Sequence, residues 1–262
     1  MRRRSAPLTA GPRPAVDSLQ RGLDILRGFE PGEDILPVTE IARRLGLPRA
    51  TTRRLLETLA DDDFLLRAGD GQGYGLHVGC FAIGQAVLGG SALVRAARAP
   101  LQALADRHSV HALLAVGDGD ALLVLAHLAG VAAPAWPLGV GARLPVADTA
   151  PGLAWLWAQP PPVQSQWMAE LRASPEPGTL AALWRAFHEL ETRGTCATLW
   201  PDHPSSAMLA TPLVLQDGSI AVVACAGTAS DVAPQPDAAL ALALRNTPLA
   251  IHAALPRTST GG

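Results

Sequence analysis

The chain contains no lysine: all 21 of its basic residues are arginines. A Walker-type phosphate loop sets a lysine ammonium on the β- and γ-phosphates, and Schiff-base and pyridoxal-phosphate enzymes need a lysine amine, so those three classes are excluded. Cysteine is scarce. Cys80, Cys196 and Cys225 are an odd, widely spaced set that builds neither a disulfide framework nor a CxxC metal clip, and they read as buried small hydrophobes. Long apolar runs are also missing. Arg, Asp, Pro or Gly interrupts every one, residues 112–116 and 121–128 included, so no membrane partner is expected. Residues 1–15 are basic and proline-containing, without an apolar stretch or a cleavage pattern. They read as a flexible arm and not a signal peptide, with a cytoplasmic location as the default. The histidines, among them His108, His111, His127, His188, His203 and His252, show no HExxH or other metal-ligand spacing, and neither metal nor cofactor is expected.

What is present suits two domains. The chain has 262 residues, 48% of them hydrophobic and 17% charged, enough apolar material for a sizeable core. The net charge of −2 hides an uneven distribution. Twelve arginines meet eleven acids in the first 70 residues, whereas nine meet twelve in the remainder. The local pattern is sharper, with five arginines and no acid between Ile41 and Arg54.

Leu19, Leu23, Leu26 and Phe29 keep helical spacing after a possible cap at Asp17 or Ser18, and residues 31–37 end that helix. A second helix is expected from Thr39, carrying Val38, Ile41, Ala42 and Leu45 on one side. Gly46 stops it, because glycine takes the left-handed conformation a helix end needs. Pro48 suits the first turn of a third helix, whose stripe is Thr52, Leu55, Leu56 and Leu59. At about 100° per residue Ala50, Arg53, Arg54 and Glu57 fall on the opposite face, with Thr51 at its edge. Residues 64–67 and 74–77 read as strands around the glycine-rich turn 69–73. Helix, helix-turn-helix and hairpin in that order describe a winged helix over residues 16–78.

Residues 79–91 read as a linker helix ending in a Gly-Gly break, and residues 92–256 as a second domain, with 257–262 as a disordered tail. A long helix from Ala92 to about His108 is followed by strand candidates at 111–116 and 121–127 across Gly117-Asp118-Gly119. Helical stretches are expected at 152–159, 163–172 and 180–193, then a second hairpin at 207–215 and 219–226, and a closing helix at 234–255 interrupted near Pro248. The sum is an α+β protein whose second domain has a mainly antiparallel sheet.

A helix in the major groove needs one buried face for support and arginines or short polar side chains on the other. Arg53 and Arg54 meet that need by reaching guanine edges or phosphates, and Thr51 by reaching a phosphate. Arg43, Arg44 and Arg49 would add charge along the DNA backbone, and Arg67 sits at the base of the wing. These residues, with Ala50, form the expected DNA-binding set.

The segment Ser18-Leu19-Gln20-Arg21-Gly22-Leu23-Asp24-Ile25-Leu26, followed by Ile41-Ala42 and the run through Gly46-Leu47-Pro48 to Leu59, resembles the N-terminal signature of the IclR family of bacterial regulators. The resemblance continues through Tyr74-Gly75-Leu76, Gly141-Ala142-Arg143-Leu144-Pro145 and Thr149-Ala150-Pro151-Gly152-Leu153-Ala154. Residues 190–194 and Leu209-Ala210-Thr211-Pro212-Leu213 extend it, so it covers the chain from about Val16 to Leu255. Asp61-Asp62-Asp63 replaces the family's glycine before the wing, and Leu153 replaces its lysine. The resemblance implies a GAF-like C-terminal domain that binds a small effector, commonly an organic or aromatic acid. Ala150, Pro151, Gly152, Asp202 and Pro212 match its pocket-lining positions, and the backbone N–H groups near Gly152 would meet a ligand carboxylate at a helix start. Pro151 lacks an N–H, so one family contact is lost. Arg143 matches a framework position and is expected in a structural ion pair or hydrogen bond. Trp136, Trp155 and Trp200 either shape this cavity or belong to core and subunit contacts.

The implied partners are double-stranded operator DNA, a small-molecule effector and further copies of the chain, as a homodimer or tetramer. The alternative is a GAF-like thiol redox enzyme or sensor using Cys196 or Cys225, which requires an accessible thiol of low pKa.

Overall fold

The computed structural model describes residues 16–30, 32–69, 71, 73–173, 179–200, 203–232 and 239–256. The chain divides into two compact units, the first ending at Gly90 and the second running on from Ser91.

The first unit comprises α1 (Asp17–Arg27), β1 (Leu36–Pro37), α2 (Val38–Leu45), α3 (Arg49–Asp61), β2 (Leu65–Arg67), β3 (Gly73–Leu76) and α4 (Gly79–Gly90). α1 buries Gly22 and Ile25, with Leu26 and Phe29 against the core, and leaves Leu19 and Leu23 exposed. The buried stripe is therefore rotated from the one that leucine spacing suggests, because the bare Cα of Gly22 lets the Leu59 side chain of α3 come close. Neither Asp17 nor Ser18 caps α1; its N-cap is Val16, with no side-chain bond. α2 starts one residue before Thr39, on an extended Pro37, and ends at Gly46 with φ +64°, the left-handed stop expected of glycine. Pro48 is the N-cap of α3 and lies just outside its first turn. Ile25, Val38, Ile41, Leu56, Leu65 and Tyr74 make one small core.

The wing holds three strands in the order β1-β3-β2, all antiparallel. Leu36–Pro37 falls in the stretch 31–37, expected from sequence only to end α1. Two residues, one of them proline, carry no periodic signal, and only the register with Tyr74 and Gly73 makes them a strand. α4 buries none of its residues and exposes Phe81, Ile83 and Val87.

The second unit contains α5 (Ala92–His108), β4 (His111–Asp118), β5 (Ala121–Ala129), β6 (Arg143–Pro145), α6 (Ala150–Trp157), α7 (Pro161–Ala173), α8 (Thr179–Arg193), β7 (Cys196–Trp200), β8 (His203–Val214), β9 (Ile220–Thr228), α9 (Ala229–Val232) and α10 (Ala239–Ala254). Six strands form one antiparallel sheet in the order β6-β5-β4-β9-β8-β7. On one face Leu113, Ala115, Val124, Met208, Ala210, Val222 and Ala224 pack beneath α6 and α8. Alternation turns Ala112, Leu114, Leu209, Val223 and Cys225 to the other face, all buried, where α5 and α10 pack on the sheet. Burial on both faces explains why these strands read as continuous apolar runs with little alternation.

β6 and β7, the two edges, were not expected from sequence. Each pairs on one side only and is short, so packing supplies the strand and residue pattern does not. Among the described residues no single helix is long and apolar enough to cross a membrane.

Candidate nucleic-acid interface and ligand site

α3 presents two different surfaces. Thr52 and Leu56 are fully buried, and Leu55 and Leu59 pack at the margin of the core. Arg49, Ala50, Arg53 and Arg54 are exposed, and Thr51 is half-buried at the edge. Among the described residues Arg49, Arg53 and Arg54 make no ion pair. The Pro48 cap supplies no side-chain acceptor to the first turn, whose N–H groups lack intrahelical partners. One face thus offers three unpaired guanidiniums and the positive end of a helix dipole.

The other arginines of the expected DNA set are engaged inside the protein. Arg44 donates to the Gly28 carbonyl at the end of α1 (3.0 Å), to Glu33 (2.6 and 2.8 Å) and to Glu40 (2.7 Å). It therefore ties α2 to the C-terminal end of α1, where a cation also suits the dipole. Arg43 forks onto Glu40 (2.7 and 2.8 Å) but keeps most of its side chain in water. The hydrogen bonds from Arg43 and Arg44 push the Glu40 carboxyl down to about 2, and Arg44 likewise lowers Glu33. Arg67 bonds to Asp61 and reaches the Glu57 carbonyl (3.4 Å). It neutralises an acid at the unfavourable, negative end of α3 and turns inward to that helix. Glu33 lies 11 residues from Arg44 and Asp61 lies 6 from Arg67, and no helical spacing signals those two pairings, unlike Glu40 four residues before Arg44.

At the start of α6, Ala150, Pro151 and Gly152 are buried. The donors expected to receive a carboxylate already have partners: Ala150 N–H donates to Thr198 Oγ1 (2.9 Å), Gly152 N–H to Thr149 Oγ1 (3.2 Å) and Leu153 N–H to the Thr149 carbonyl (2.9 Å). Gly152 serves close packing, since a Cβ there would lie 2.4 Å from Val146 backbone atoms. Pro212 is half-buried on β8, opposite Val222, on the face beneath α6. Asp202 lies outside the described residues. An open groove of about 300 Å³ lies at the far end of α6, lined by Val116, Gly117, Trp155 and Gln159 among others, and none of the expected effector residues lines it. Trp155 stands edge-on to Trp167 there, and Trp136 edge-on to Trp200 elsewhere on the same core.

Arg143 donates to Asp118, to the Asp118 carbonyl (2.8 Å) and to Asp120 (3.1 Å), the structural ion pair expected of it. Burial pushes the thiols of Cys196 and Cys225 up, away from the reactive thiolate, and Cys196 donates to the Ala150 carbonyl (3.4 Å). Both act as core residues. A group the sequence did not mark is the pair His111 and His127, 16 positions apart, joined only by the β4–β5 register.

The family model of the IclR helix-turn-helix domain matches residues 18–69. The Pca regulon regulatory protein of Pseudomonas putida is 32% identical over 138 residues, which are 52% of this chain and 47% of that protein, so the chain spans about half the length of this relative. The crystal structure of an IclR family transcriptional regulator from Brucella abortus superposes with a TM-score of 0.85 at 27% identity, over 96% of this chain and 97% of that one. An IclR homologue from Microbacterium hydrocarbonoxydans, solved with 4-hydroxybenzoate, shares the fold with a TM-score of 0.72 at 24% identity, over 91% and 98%. A matched helix-turn-helix and a common fold along almost the whole chain agree: the first unit carries an IclR helix-turn-helix domain, and the chain has the fold of an IclR family transcriptional regulator.

Proposed function

We propose that the chain is a DNA-binding transcriptional regulator whose operator affinity is set by a small-molecule effector. Residues 16–78 form its DNA-binding domain, 79–91 its linker and 92–256 its effector domain. The observation that carries the reading is the division of labour among the arginines. Arg44 and Arg67 brace the winged helix, while Arg49, Arg53 and Arg54, on the exposed face of α3 beside Ala50 and Thr51, make no ion pair among the described residues. Small side chains at Ala50 and Thr51 let α3 approach the major groove, and the three arginines meet guanine edges and phosphates. Arg43, largely in water, exchanges Glu40 for a phosphate at little cost.

Two copies are needed to read a two-fold operator. The uncharged helix α4, with Phe81, Ile83 and Val87 in water, supports a homodimer, because an apolar surface of this kind is normally covered. The effector reading draws on the 4-hydroxybenzoate held by the Microbacterium neighbour. The face beneath α6, with Ala150, Pro151, Gly152 and Pro212, and Asp202 from outside the described residues, is the region proposed for it. Since the α6 donors are internally bonded, a ligand there enters by displacing protein partners such as Thr198. An effector that binds one quaternary arrangement better shifts operator affinity by about 1–3 kcal/mol. The test is selection of DNA from a genomic library by the full-length protein, followed by affinity measurement with and without 4-hydroxybenzoate. Failure to enrich any sequence over random DNA overturns the regulator reading, and operator affinity indifferent to small aromatic acids overturns the proposed effector class.

A further inference from the structure

α3 turns a stripe of side chains to solvent at Ala50, Arg53, Arg54 and Glu57. The spacing is i, i+3, i+4 and i+7, with which a helix lying in the major groove brings four side chains to base edges. Ala50 and the two arginines suit a duplex by size and by charge. Glu57 does not, because a carboxylate carried in among phosphates is repelled.

That carboxylate also stays unpaired where partners are close in sequence. Arg53 stands four residues before it and Arg54 three, both at the separations that pair charges on a helix surface. Neither makes an ion pair with it among the described residues. Arg67 reaches only its backbone carbonyl (3.4 Å). The acids on either side of it in the chain are engaged, Glu40 by Arg43 and Arg44, and Asp61 by Arg67. Thr58, its exposed neighbour, turns its hydroxyl back to the Arg54 carbonyl (3.0 Å). Glu57 lies well inside α3 and caps neither end. It is a bare acceptor on a cationic face, about 10 Å beyond Ala50 along the helix axis, the span of about three base pairs.

In the major groove such a group has one fitting partner. A carboxylate only accepts, so guanine O6 and N7 and thymine O4 repel it, whereas the N4 amino group of cytosine donates. Adenine has an amino group too, but its N7 acceptor lies beside it and faces the charge.

We propose that Glu57 accepts a hydrogen bond from the N4 amino group of one cytosine in each operator half-site, selecting a C·G pair there while its charge lowers affinity for every other sequence. This rests on reading α3 as the helix that enters the operator. The arginines alone would hold any duplex by its phosphates. The carboxylate weakens that hold everywhere and restores it at one base.

The experiment selects duplexes from a randomised library with the full-length protein and with its Glu57→Ala and Glu57→Gln variants, then measures affinity for the selected sites and for random DNA. The parent is expected to enrich a cytosine at one position of each half-site. Glu57→Ala loses the preference at that position alone, where discrimination falls at least about fivefold. It also binds random DNA more tightly. Glu57→Gln moves the preference towards adenine, whose amino group and N7 an amide matches with its own acceptor and donor. Replacing the selected cytosine with pyrimidin-2-one, which lacks the amino group, weakens the parent at least about fivefold more than it weakens Glu57→Ala. Thermal melts establish that the variants fold, and Glu57→Gln decides if Glu57→Ala does not. The inference is overturned by a Glu57→Ala consensus equal to the parent's at every position, by a loss of affinity equal for all sequences, or by relaxation at a base other than cytosine. A parent that enriches no sequence overturns the regulator reading itself, and this inference with it.

Discussion

The starts of α3 and α6 are the same backbone feature put to opposite uses. Each is a helix N-terminus with a proline close by, at Pro48 and Pro151. At α3 the first turn has no side-chain cap and three arginines in water around it. At α6 the turn is buried, capped by Thr149 and bonded to Thr198, with no acidic residue in its first turn. A duplex is large, rigid and uniformly anionic, so a face built for it can stay open and solvated. A small ligand has to be enclosed to gain affinity, so on the proposed function an apolar turn closed on its own hydrogen bonds is what the effector region would need.

That comparison can be broken most severely at α3. Arg53→Ala combined with Arg54→Ala should weaken operator binding by about 10²- to 10⁴-fold and reduce the salt slope by about 0.9 for each lost phosphate contact. The melting temperature should hardly move, since neither side chain has an ion pair among the described residues to lose. Filter binding across a salt series and circular dichroism check both halves. Leu56→Ala, on the fully buried face of the same helix, should do the converse. It should destabilise the first unit by roughly 2–5 kcal/mol, leaving the second unit's hydrogen-exchange protection intact. Gly152→Ala probes the closed end. Its methyl would lie 2.4 Å from Val146 backbone atoms, and the second unit should lose about 1–3 kcal/mol. A neutral substitution would mean that this turn is looser than its packing indicates.

The smallest effect separates brace from contact. Arg44→Gln should leave the salt slope unchanged, because its guanidinium already belongs to Glu33, Glu40 and Gly28. It should instead alter acid sensitivity. Glu40 is held well below its ordinary 4.5, at about 2, so its pairing stabilises the fold fully above about pH 4.5 and is lost as pH falls towards 2. Stability of the variant measured from pH 7 to 2 should fall less steeply across that window than the parent's. The shift is small, as expected of an exposed pair.

Much of this was legible in the residues. Arg53 and Arg54 opposite Thr52, Leu55, Leu56 and Leu59 already describe a two-faced helix, and Gly46 and the turn near 69–73 mark where the first domain bends. The motifs from Ser18 to Pro212 carried the family and the sheet class with them. Less legible were positions set by partners distant in sequence. α1 turned Leu19 and Leu23 outward because Gly22 allowed α3 to close on it. β1, β6 and β7 are too short to show a period. The α6 donors looked available because a helix start always has them, but Thr149 takes the Gly152 N–H and Thr198, 48 residues past Ala150, takes the Ala150 N–H.

What the sequence determined by itself is therefore local and periodic: helix faces, turn positions, the absence of lysine chemistry and the concentration of arginine before Arg54. These follow from backbone sterics and from the repeat lengths of helix and strand, which act over a few residues. Tertiary structure alone decided which arginines are braces and which remain unpaired, whether the α6 turn is open, and that His111 and His127 meet beneath Trp136. Each of those outcomes depends on hydrogen bonds and packing between residues far apart in the chain, and such energies come into existence only when the register and the core bring the partners together.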